Sequence, residues 1–189
     1  MFTWMKNLPL RKIKSFYHMS SKDQNLSAKS LASNVKLENA KVGIVVSDWN
    51  QEITHKLLDG AIQTLVKAGV DQEKIKTIHV PGAFELPTGA KMLLQSDKYE
   101  GIICLGCVIK GETKHDEYIN NAVANGIMQL SLISGKPVIF GVLTPNDMQQ
   151  AIDRAGGKHG NKGDEAATTL IEMIELNRSL LTPKKGIGY

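Results

Sequence analysis

An apolar run at residues 101–109 ends abruptly at Lys110-Gly111, and a dense polar cluster, Glu112-Thr-Lys-His-Asp-Glu-Tyr118, takes over. A strand apolar on both faces belongs in the middle of a sheet covered by helices, and a polar cluster at its end lies on the rim where such sheets bind ligands. The same junction recurs along the chain. Residues 42–47 are a β-branched run that precedes Asp48-Trp49-Asn50. Residues 74–80 precede Pro81 to Glu85, and residues 137–143 precede Thr144. Pro137 stands at the first position of its strand, where no ladder hydrogen bond is lost. Between strands the apolar spacing becomes helical: Ile53, Leu57, Leu58, Ala61, Ile62 and Leu65 mark a helix over 51–68, stopped by Gly69. Further helices are predicted over 83–95, 116–133, 146–155 (capped by Asn146 or Thr144) and 164–181. Strands alternating with helices predict an α/β fold of three layers around a four-stranded parallel sheet. All four polar junctions then fall on one rim.

The 189 residues suit one domain with flanking tails: a basic extension over 1–40, a folded domain over 41–181 and a tail over 182–189. The extension holds seven Lys/Arg and two Asp/Glu, a net of +5, while the whole chain is +4. Residues 41–189 therefore carry a net of −1, and a nucleic-acid partner is not expected. Residues 1–19 are basic and free of acid, which suits an organellar transit peptide; equally, Met19 is a second candidate start. Without such a peptide the location expected is cytoplasmic. No apolar stretch reaches the roughly 18 residues of a membrane span.

Cys104 and Cys107 have Cys-x-x-Cys spacing, which can mean redox or metal chemistry. Inside a strand, however, positions three apart point to opposite faces, so a structural role is expected for both.

His115 is the best proton-transfer candidate, since imidazole gives and takes protons near neutral pH. A solvated first-turn histidine is the bland alternative. His55 lies within a helix and His79 within a strand, where packing or exposure explains them; His159 lies in a basic loop and could touch an anion. Lys110-Gly111-Glu112-Thr113 offers backbone N–H groups, a hydroxyl and a cation at a helix start, which suits phosphate. Arg154 and Lys162 add positive charge, and arginine can hold phosphate with two parallel bonds. Trp49 offers a flat face for a heterocycle. Phe84 and Phe140 are wall or core residues. Glu85 could accept hydrogen bonds from a polyol, or complement a helix dipole.

Together these segments resemble the lumazine synthase family. The resemblance runs from about Lys41 to Leu181. It is carried by Trp49-Asn50, Leu57-Leu-Asp-Gly-Ala61, Val80-Pro-Gly-Ala-Phe-Glu-Leu-Pro87 and Gly106-Cys-Val-Ile-Lys-Gly-Glu-Thr-Lys-His115. Pro137-Val-Ile-Phe-Gly-Val-Leu-Thr144, Gln150-Ala-Ile-Asp-Arg-Ala-Gly156 and Asn161-Lys-Gly163 complete it. It implies a flavodoxin-like fold, with an extra N-terminal strand in the oligomer an open option. It also implies condensation of 5-amino-6-(D-ribitylamino)uracil with 3,4-dihydroxy-2-butanone 4-phosphate, without a metal or organic cofactor. By position, His115 matches the proton-transfer histidine. Arg154, Lys162, Glu112 and Thr113 match the phosphate site. Trp49, Ala83, Phe84, Glu85, Cys107, Val108, Ile109 and Phe140 match the site for the ribitylaminouracil, Phe140 from a neighbouring subunit.

Trp49 stands where Phe is frequent, Lys110 where Arg is frequent, and Lys114 where a small hydroxyl residue is usual. The resemblance further implies homopentamers. The short connection before the last helix favours twelve of them in a 60-subunit shell, with riboflavin synthase as a downstream or enclosed partner. Two other readings stay open: a non-catalytic flavin- or lumazine-binding module of the same fold, and a shell or carrier protein.

Overall fold

A computed structural model describes residues 37–181; the readings of 1–19 as a transit peptide and of 182–189 as a tail concern residues outside that range. The strands are β1 (Val42–Ser47), β2 (Ile75–Val80), β3 (Gly101–Cys107) and β4 (Val138–Leu143), in the order β2-β1-β3-β4. All three pairings are parallel, as alternation with helices requires.

The helices are α1 (Gln51–Lys67), α2 (Leu86–Ser96), α3 (His115–Ser134), α4 (Met148–Asp153) and α5 (Lys162–Leu181). One layer, α1 and α5, packs on the face of β1 and β3 that carries Val42, Ile44, Val46, Ile103 and Leu105. The other, α2 and α3, covers Val45, Ile102 and Cys104. This is the three-layer flavodoxin-like architecture expected. Each fully buried Leu or Ile contributes about 1.5–3 kcal/mol, so the two layers carry most of the stabilisation. The core also reaches upstream of Lys41: Leu37 and Ala40 are buried, and the Leu37 N–H donates to the Ala68 carbonyl at 2.9 Å.

Several boundaries move for local reasons. The helix predicted over 83–95 starts as a 3₁₀ turn, Ala83–Glu85, before α2. Pro87 sits in the first turn of α2, where its missing N–H costs nothing. The strand predicted to Ile109 ends at Cys107. The short helix is capped by Asp147, not Asn146 or Thr144. The Asp147 side chain accepts from the Gln150 N–H at 2.8 Å, while the Asn146 N–H is taken by Gln150 Oε1 at 3.0 Å. Residues predicted as a loop before α5 form an antiparallel hairpin, β5 (Ala155–Gly157) and β6 (Gly160–Asn161). Gly156 and Gly160, at φ 100° and 77°, permit that reversal. At the α1–α5 crossing a Cβ on Gly163 would collide with the Leu57 carbonyl oxygen. That glycine lets α5 begin directly against α1.

Candidate active site

Because the strands are parallel, the loops after β1, β2, β3 and β4 share one rim, and hydrogen bonds tie them in pairs. The Asp48 and Trp49 N–H groups donate to the Val80 and Pro81 carbonyls at 2.8 and 3.1 Å. The Val108 and Lys110 N–H groups donate to Leu143 and Pro145 at 2.8 and 2.9 Å. Asn50 joins the two pairs: its Nδ2 donates to the Cys107 carbonyl at 3.0 Å. Asn50 heads α1 in the left-handed region, φ 61°, and makes no side-chain cap to its own helix. A residue type suited to capping is here spent on holding the Trp49 loop against the end of β3.

Trp49 is 73% exposed and Phe84 58% exposed, both on this rim. Exposed aromatics of that size on adjacent loops are ready-made stacking surfaces. Ala83, next to Phe84 in the chain, is buried. Glu85 Oε2 accepts from the Gly82 N–H at 3.1 Å, so it braces its own turn while remaining exposed. Val108 and Ile109 are half-buried at the end of β3. Phe140 is half-buried on edge strand β4 and packs with the α2–α3 layer.

His115 is the first residue of α3 and is exposed, as are Glu112 and Thr113 in the loop before it. Lys114 makes no side-chain cap. The first N–H groups of α3 thus remain available to an anion, although Asp116 and Glu117 share that turn. Nothing lies within 4 Å of the Cβ position at Gly111, so the loop backbone is open to approach.

Arg154 and Lys162 sit elsewhere. Both hold the buried carboxylate of Glu165, Arg154 Nη2 at 2.9 Å and Lys162 Nζ at 3.1 Å. Arg154 Nη1 also donates to the His159 carbonyl at 2.6 Å. These groups belong to the hairpin and the α1–α5 layer, whereas His115 heads a helix of the opposite layer. The structure therefore gathers Trp49, Phe84 and the 112–115 loop on one rim. It groups Arg154 with Lys162 separately.

Cys104 lies in the α2–α3 core and Cys107 in the α1–α5 core, on opposite faces as strand geometry requires. Burial pushes both thiols up to about 12. Neither fits dithiol redox chemistry, which needs adjacent sulfurs and accessible thiolate.

Two residues gain weight from the structure. Asn50 is the rim's crosslink. Ser47 ends an otherwise apolar strand with its Oγ buried and without a partner among the described residues, close to where a Gly106 side chain would begin. A lone hydroxyl closing an all-apolar strand was the signal for it.

The sequence model of the 6,7-dimethyl-8-ribityllumazine synthase family matches residues 39–178. The chain belongs to the lumazine synthase family. Relatives bearing that enzyme's name agree closely. The protein of Cytophaga hutchinsonii is 51% identical over 156 residues, 82% of this chain and 98% of its own length. That of Parabacteroides distasonis is 47% identical over 159 residues, 84% and 99% of the two chains. That of Bacteroides fragilis is 51% identical over 140 residues, 74% and 98%. The match spans all four rim loops and both members of the Arg154–Lys162 pair.

Proposed function

We propose that this rim performs the family's reaction with the following division of labour. The reaction is a step of riboflavin biosynthesis. The 5-amino group of 5-amino-6-(D-ribitylamino)uracil attacks the ketone of 3,4-dihydroxy-2-butanone 4-phosphate and forms an imine with loss of water. Phosphate is eliminated, and the ribitylamino nitrogen closes the ring with loss of a second water. The product is 6,7-dimethyl-8-ribityllumazine. Each step moves a proton between nitrogen, carbon and oxygen, so the protein's tasks are proximity and proton transfer.

Trp49 stacks on the pyrimidine. Ala83, Phe84 and Glu85 line its edge together with Cys107, Val108 and Ile109. Cys107 contributes main chain, because its thiol is buried. His115 shuttles protons. Glu112 and Thr113 present the loop and the α3 amino end to the phosphate, and Arg154 and Lys162 supply its counter-charge. Arg154 and Lys162 pair with Glu165 in the α1–α5 layer, apart from His115 at the head of α3, and with Phe140, which the resemblance assigns to a neighbouring subunit, they are proposed to complete the site from a second copy.

The assembly that follows is a homopentamer, and the short hairpin before α5 favours twelve pentamers in a 60-subunit shell. Riboflavin synthase is the partner proposed to consume the product. Among the described residues no helix is long and apolar enough to cross a membrane, and a cytoplasmic location is proposed. Residues 41–181 are proposed as the catalytic domain, with the basic extension and the tail flanking it.

The observation that carries this reading is the placement of two exposed aromatics and one exposed histidine on consecutive loops of a parallel sheet. The test mixes purified protein with both substrates and follows the fluorescent lumazine above the uncatalysed rate. Formation that disappears in His115→Ala and Arg154→Ala supports the roles. Equal turnover in either variant overturns the role given to that residue.

A further inference from the structure

Asp48, His55 and His79 come from three different elements and converge at one corner of the rim. Their ligand atoms all lie within 4.8 Å of one another. Residues 42, 44 and 46 of β1 point to the α1–α5 face, so Asp48 continues that series. His79 is in register with Val46 and shares its face. His55 lies one turn into α1, the helix that covers this face. His79 Nδ1 donates to Asp48 Oδ1 at 2.8 Å, and the His55 and His79 rings meet edge-to-face with centroids 5.8 Å apart.

We propose that Asp48, His55 and His79 form a binding site for a divalent late transition-metal cation of the zinc class, separate from the condensation chemistry. Two imidazoles and one carboxylate match that class of ion. Magnesium and calcium prefer all-oxygen shells. Four-coordinate zinc with bonds near 2.1 Å sets its ligand atoms about 3.4 Å apart. An ion would displace the proton of the His79–Asp48 hydrogen bond, and side-chain rotation would bring the three ligand atoms, now within 4.8 Å of one another, to that spacing.

The backbone under the site is already fixed, since the Asp48 N–H is held by the Val80 carbonyl and the two strands are paired through Ser47 and Val80. All three side chains are open to solvent in part or in full, so an ion can enter without unfolding. The fourth position is left to water. A bound ion would tie α1 to the β1–β2 edge next to Trp49.

The test uses metal-stripped full-length protein, equilibrium dialysis against Zn²⁺ and the visible absorption of Co²⁺. Expected are one ion per chain, a Co²⁺ spectrum of a four-coordinate site and a raised melting temperature on loading. His55→Ala and His79→Ala should each weaken binding about tenfold or more, because each removes one of only three protein ligands. His55→Ala lies on an exposed helix position and should melt as the metal-free parent does. Absence of stoichiometric uptake at roughly 100 μM ion, far above the affinity expected of a three-ligand site, overturns the proposal. Uptake unchanged in the His55→Ala/His79→Ala double variant overturns it as well, by placing the ions elsewhere.

Discussion

Helices α3 and α5 have the same length, 20 residues, and opposite fates. Eight residues of α5 are buried and only two of α3, Val123 and Ile127. The difference is not a lack of apolar side chains on α3, since Tyr118, Met128, Leu132 and Ile133 are all exposed on it. Helix α5 runs against α1, packed close at Gly163, and its Ala167, Leu170, Ile171 and Ile174 fill the core under β1 and β3. Helix α3 covers less of the sheet and carries His115 at its head. One helix holds the chain together; the other presents the histidine proposed for proton transfer and an apolar flank of the kind that subunit contacts bury.

The largest effect should separate catalysis from folding at the head of α3. His115→Ala removes an exposed side chain, so melting should stay within about 0.5 kcal/mol of the parent, while turnover falls about 10²–10⁴-fold. Steady-state lumazine formation beside a thermal melt reads both. A variant that melts early and loses activity in proportion would place His115 in the structural class.

Next come the two flanks. Ile171→Ala opens a cavity in the α1–α5 core and should cost about 2–5 kcal/mol in denaturant unfolding. Leu132→Asp or Ile133→Asp on α3 should change the unfolding of the separated chain by only about 0.5 kcal/mol. The same variants should shift light-scattering mass from the proposed pentamer or shell toward single chains. If the α3 variants kept full assembly, the exposed flank would not be a subunit contact.

The contrast between these helices was only partly legible in the sequence. Strand alternation and helical spacing were enough for the sheet, its layers and the common rim, because burial on both faces leaves a plain apolar signature. Parity along β3 likewise separated Cys104 from Cys107. What could not be read depended on neighbours distant in the chain. The hairpin at 155–161 was hidden in a glycine-rich stretch without periodicity. The Asp147 cap competed with two equally suitable residues beside it. The placement of Arg154 rests on Glu165, whose burial no local pattern announced. His55 and His79 were each unremarkable alone; the β1–β2 register brings His79 to Asp48, and the first turn of α1 brings His55 there. The shortage of buried positions on α3 was the least visible of all, because an apolar residue reads the same whether it faces a core or another subunit.

The smallest effect expected distinguishes the two layers through their cysteines. Burial raises both thiols to about 12, Cys104 beneath α2–α3 and Cys107 beneath α1–α5. A thiol whose folded pKa lies above its unfolded value favours the folded state while it stays protonated. The unfolded chain ionises first, so stability is flat through neutral pH and falls as pH rises past the unfolded thiol value of about 8.5 toward 12. Denaturant midpoints at pH 7 and pH 10 should therefore converge in the Cys104→Ala/Cys107→Ala variant relative to the parent, after the change common to both proteins is subtracted. The single variants sharpen the comparison. Cys104, in mid-strand, should stay closed to alkylating reagents until the chain unfolds as a whole. Cys107, the last residue of β3 beside the Asn50 crosslink, should become reactive first if the rim opens locally. Equal and rapid labelling of both in the native protein would mean that the α2–α3 side is no more firmly closed in its core than the α1–α5 side is at the rim.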